Sequence, residues 1–83
     1  MVVGAQFTGT VEANASKRWF TFNWPPDRHV LWTVVSTTPR SGTPQLEWDV
    51  AVERAASGIT YWITIRNLTG QPIDIEARYA VMN

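Results

Sequence analysis

Tyr61-Trp-Ile-Thr-Ile-Arg-Asn-Leu-Thr-Gly-Gln-Pro-Ile-Asp-Ile-Glu-Ala-Arg-Tyr-Ala-Val81 is two alternating apolar/polar runs joined by a segment containing Gly70 and Pro72. Side chains on a strand alternate between faces with period two, so each run reads as a half-buried β-strand. With Ile59 from the preceding residues, the first arm places Ile59, Tyr61, Ile63 and Ile65 on one face. Thr60, Trp62, Thr64 and Arg66 take the other. The second arm places Ile73, Ile75, Ala77, Tyr79 and Val81 together, with Asp74, Glu76, Arg78 and Ala80 opposite.

Two alternating runs around a short Gly/Pro loop predict a β-hairpin. A one-residue slip would turn one arm inside out, so an unbulged loop must hold an odd number of residues. A loop over Leu68 to Pro72 meets this condition and keeps Pro72 out of the ladder, where it cannot donate. It predicts Ile65 opposite Ile75 and Tyr61 opposite Tyr79. On the outer face it predicts Arg66 opposite Asp74 and Trp62 opposite Arg78, where a cation–π contact would cover the indole.

Working outward, Gln6 to Ala13 alternates as a first strand and Arg18 to Trp24 as a second. In the second, Phe20, Phe22 and Trp24 share one face, and Trp19, Thr21 and Asn23 the other. Pro25-Pro26 ends it, because proline cannot continue a ladder. His29 to Thr37 is apolar on both faces and predicts a central strand covered on both sides. Gln45 to Arg54 points Leu46, Trp48, Val50 and Val52 inward. Its alternation outweighs the helix preference of Glu, Ala and Arg. The expectation is one domain over residues 1–83: a small all-β antiparallel sandwich of about six strands, jelly-roll-like or Ig-like, without helix. The segment Gly9-Thr-Val-Glu-Ala-Asn-Ala-Ser-Lys-Arg-Trp-Phe-Thr-Phe22 resembles the opening of pre-peptidase C-terminal-type jelly-roll modules, which run Gly-x-apolar strand, turn, aromatic strand. No function is carried over from that likeness.

Composition narrows the function classes. A chain of 83 residues buries only about 60–65% of its unfolded surface, so its core is marginal. No cysteine is present to supply a disulfide or a thiol nucleophile. Seven basic and seven acidic residues balance to a net charge of zero. A nucleic-acid partner, which wants a basic stripe, is not expected, nor is an anionic membrane surface. No apolar run is long enough for a membrane span. Met1-Val-Val-Gly-Ala lacks a basic n-region, so no signal peptide is read, and a cytoplasmic or a processed secreted chain is expected.

Catalytic patterns are weak. His29 is the one histidine, and with Asp27 it offers two metal ligands at most. No serine sits in a nucleophile elbow. Glu47, Asp49 and Glu53 share an outer strand face, where carboxylates are ordinary solvation. No cofactor and no catalytic residue is assigned. Asn14-Ala-Ser16 and Asn67-Leu-Thr69 match the glycosylation acceptor pattern.

The five tryptophans are the most informative residues. Trp24, Trp32 and Trp48 fall at inward positions. Trp19 and Trp62 fall on outward faces, where bare indoles tend to meet a partner. The expectation is a non-catalytic binding and assembly module acting as a homo-oligomer. The alternative is a small lectin-like carbohydrate-binding protein. Trp19 and Trp62 would be the anchors or stacking platforms, with Asn23, Arg66, Asp74, Glu76 and Arg78 as polar contacts.

Overall fold

The computed structural model describes residues 1–83 as six antiparallel strands and no helix. They are β1 (Val2–Val11), β2 (Ser16–Trp24), β3 (Val30–Ser36), β4 (Leu46–Arg54), β5 (Ile59–Asn67) and β6 (Ile73–Val81). Two three-stranded sheets form, ordered β1-β6-β3 and β2-β5-β4. Their inner faces meet in one core: Val11, Val34, Ile73, Ile75 and Ala77 from the first sheet, Ile63 and Ile65 from the second. The strands with the strictest alternation, β5 and β6, are the central strands, as complete burial of one face requires.

Every connection except β4–β5 crosses from one sheet to the other. The first strand pairs with the last and the second with the fifth, which is the winding of a small jelly roll. This corrects the hairpin expected between β5 and β6. Ile65 lies opposite Lys17 and Trp48, and Ile75 opposite Gly9 and Ser36, in different sheets. The outer-face pairs fall with the hairpin: Arg66 faces Ser16 and Glu47, not Asp74, and Trp62 faces Phe20 and Ala51, not Arg78.

The Leu68–Pro72 loop crosses because Asn67 and Thr69 tie it to the first sheet's edge. The buried Asn67 amide donates to the carbonyls of Val11 (3.0 Å), Glu12 (3.2 Å) and Gln71 (2.6 Å). Its oxygen accepts from the Thr69 N–H and hydroxyl, both at 2.8 Å. The nitrogen that glycosylation would use is therefore engaged and enclosed.

At the other end, four rings bridge the sheets. Trp24 and Tyr61 come from one, Trp32 and Tyr79 from the other. Trp24 meets Trp32 and Tyr79 edge-on at 5.5 Å, and Trp32 meets Tyr61 at 5.6 Å. Such geometry contributes roughly 0.5–1.5 kcal/mol per pair beyond area burial. The Trp32 Nε1–H is buried without a polar partner.

Three further expectations are corrected. In β2, Trp19 and Thr21 point inward, while Phe20 and Phe22 are 57% and 59% exposed. The register shifts between Thr21 and Trp24, with Asn23 at φ 66°, and that irregularity brings Trp24 inward as well. Strand β3 is an edge strand, and its outer face leaves Leu31 exposed. Trp48 has the inward parity of β4 but lies on the sheet's edge strand, where it is 39% exposed.

Candidate functional site

The outer face of the β2-β5-β4 sheet carries the largest group of exposed aromatics. In register, its rows are Ser16–Arg66–Glu47, Arg18–Thr64–Asp49 and Phe20–Trp62–Ala51. Phe22 extends the aromatic row along β2, and Thr60 with Glu53 complete the face on β5 and β4. The Phe20 ring lies 5.0 Å from Trp62 and 6.1 Å from Phe22. Three aromatic side chains thus form one continuous strip across β2 and β5.

Polar groups fix the strip. The Trp62 indole N–H donates to Glu53 Oε1 at 3.0 Å, setting the ring's orientation. The Arg18 guanidinium sits 5.0 Å from the Trp62 ring centroid, a cation–π contact. Arg66 donates to Glu47 at 2.9 Å, an exposed ion pair of small energy. A shallow depression of about 250 Å³ lies beside this pair, lined by Glu47, Trp48, Asp49, Thr64 and Arg66.

Of the residues singled out from the sequence, Trp62 and Arg66 share this face. The remaining ones are elsewhere. Trp19 is not an outward platform: it stacks on Phe7 at 5.1 Å inside the sandwich, with Lys17 Nζ 5.1 Å from its ring. Asp74, Glu76 and Arg78 lie on the outer face of the opposite sheet. There Asp74 accepts from the Thr10 hydroxyl at 2.7 Å and Arg78 pairs with Glu76 at 2.8 Å. Asn23 sits at the β2 irregularity. Sequence reading missed Arg18, Phe20 and Phe22 as site residues, because Phe20 was assigned to the face away from Trp62. Only the β2–β5 register reveals that they adjoin.

The opposite face holds a smaller apolar patch. Val3, Ala80 and Leu31 stand in one row across β1, β6 and β3, beside a groove of about 350 Å³ that Thr33, Arg78 and Tyr79 also line.

No three His, Asp or Glu side chains come together as a metal site. No helix is long and apolar enough to cross a membrane. One ionisable group stands out: burial raises the Tyr61 hydroxyl above its ordinary value near 10. Tyr61 belongs to the four-ring cluster, against Trp24 and Trp32.

Fold and face together define a small jelly-roll sandwich with an aromatic outer surface. Comparisons with protein-family models, characterised proteins and solved structures find no match.

Proposed function

We propose that this chain is a non-catalytic binding and assembly module that works as a homo-oligomer. The observation that carries the reading is the Phe22–Phe20–Trp62 strip on the outer β2-β5-β4 face, with both phenylalanines exposed and Trp62 half-buried beside them. Two phenylalanines more than half exposed, side by side, are what an interface core looks like before its partner arrives. The Val3–Leu31–Ala80 patch adds a second apolar surface. Near-zero net charge favours association further.

A lectin-like reading has one observation of its own. Phe20 and Phe22 stack with an interplanar angle of 29° next to the strand that carries Thr60 and Thr64 on the same face, an apolar platform beside hydrogen-bonding groups. Trp62 is less suited to stacking, since Arg18 already lies over its ring.

Light scattering at micromolar concentration, with a glycan array in parallel, separates these readings. The assembly reading expects a multiple of 9.4 kDa and no glycan signal that depends on Phe20. A monomer that binds glycans, and loses them on Phe20→Ala, would replace it with the lectin reading.

A further inference from the structure

The charges on the β2-β5-β4 face are segregated. Strand β2 contributes Arg18, and β4 contributes Glu47, Asp49 and Glu53. Glu47 is neutralised by Arg66, and Glu53 accepts from Trp62. Arg18 and Asp49 form no salt bridge. They stand in the same row, on opposite edge strands, with Thr64 between them. Two strand spacings, about 9.6 Å, separate their backbones.

The two-fold axis that stacks such a face on itself lies in the plane between the copies, and its two limiting directions run along β5 and across it. An axis across the strands lays β4 on β4 and gathers Glu47, Asp49 and Glu53 of both copies along one shared strip. Like charges so placed are unfavourable. An axis along β5 lays β2 of each copy on β4 of the other and preserves height along the strand. Arg18 then lies over Asp49 of the second copy, twice, and Phe20 lies over Ala51. Trp62 of each copy, with its own Arg18 over the ring, lies at the centre.

We infer that this chain forms a two-fold dimer through the outer face of β2-β5-β4, with the axis parallel to β5 and with Arg18 paired to Asp49 of the second copy. This inference rests on the assembly reading and specifies its partner and geometry. A closed isologous interface of this kind uses the same patch on both copies. The Arg18 guanidinium already over Trp62 becomes the bridge from the aromatic centre to the partner's carboxylate.

Three variants test it: Arg18→Glu, Asp49→Arg and the double exchange, each measured by sedimentation velocity. All substitutions fall at exposed positions, where the fold is expected to tolerate them. The wild type is expected at twice 9.4 kDa. Either single variant is expected to fall to the monomer mass, since each creates two like-charge contacts. A one-to-one mixture of the two, and the double variant alone, are expected to return to the doubled mass, because both restore two opposite-charge contacts. Doubled mass in both single variants would overturn this geometry and leave the assembly reading standing. Monomeric single variants that do not recover on mixing would overturn the axis assignment. A wild type that is monomeric at every concentration would overturn both.

Discussion

The side-chain amide of Asn67 donates to the backbone carbonyl of Val11, a residue 56 positions away and in the facing sheet. The same amide holds Glu12 and Gln71, while its oxygen holds Thr69. Removing a partner leaves buried polar groups unsatisfied, at about 1–3 kcal/mol each. Asn67→Ala is therefore expected to destabilise the fold by roughly 3 kcal/mol or more. Asn67→Asp should be no better, since a carboxylate cannot donate to three carbonyls. Chemical denaturation checks both. Parent-like midpoints would show that the loop is held by something else.

Gly9 is a packing position rather than a turn. A Cβ there would lie 2.6 Å from Trp19 Cζ2, and that indole is already stacked on Phe7. Gly9→Ala is expected to cost about 1–3 kcal/mol through overpacking. Near-ultraviolet circular dichroism should show a changed Trp19 environment alongside a lowered melting temperature.

Burial ranks two substitutions in β5 and β4 against their side-chain size. Ile63 is wholly enclosed, so Ile63→Ala should cost about 2–5 kcal/mol. Trp48 is larger but 39% exposed at the sheet's edge. Trp48→Ala should cost less than Ile63→Ala, about 1–2 kcal/mol, because its surroundings already open to water. Equilibrium unfolding of the pair would contradict this account if the order were reversed.

Stability at high pH should depend on Tyr61. Burial favours its neutral phenol, so the folded chain holds that proton to higher pH than the unfolded chain, where tyrosine titrates near 10. The group contributes nothing pH-dependent below that point, and stability falls as pH climbs past it. Tyr61→Phe should flatten the alkaline limb of a melting temperature–pH curve. Equal slopes for parent and variant would show that other groups set it.

Strand identity was legible because burial of one face imposes period two, and β4, β5 and β6 obey it closely. Strand pairing was not. Inward faces on β5 and β6 look the same whether the arms share a sheet or face each other across the core. What turns the loop is Asn67, and its partners Val11 and Glu12 are remote in sequence. Strand β2 misled for another reason. Aromatics on both of its faces leave alternation without a sign, and the irregularity at Asn23 changes parity midway. The site inherited both errors: Trp19 was placed outside, Arg78 was placed beside Trp62, and Arg18, Phe20 and Phe22 were overlooked.

The most direct test of the central claim, that the Phe22–Phe20–Trp62 strip is an interface, is the solution mass of the Phe20→Ser/Phe22→Ser variant beside the wild type. Both rings are more than half exposed, so in an isolated chain their replacement should change stability by no more than about 1 kcal/mol. In an assembling chain they are the interface core, and assembly adds stability by mass action. Sedimentation over a range of concentrations should give a multiple of 9.4 kDa for the wild type. The variant should be monomeric and folded, with a melting temperature that no longer rises with concentration. A wild type that stays at 9.4 kDa at the highest concentration, or a variant with undiminished mass, would contradict the claim.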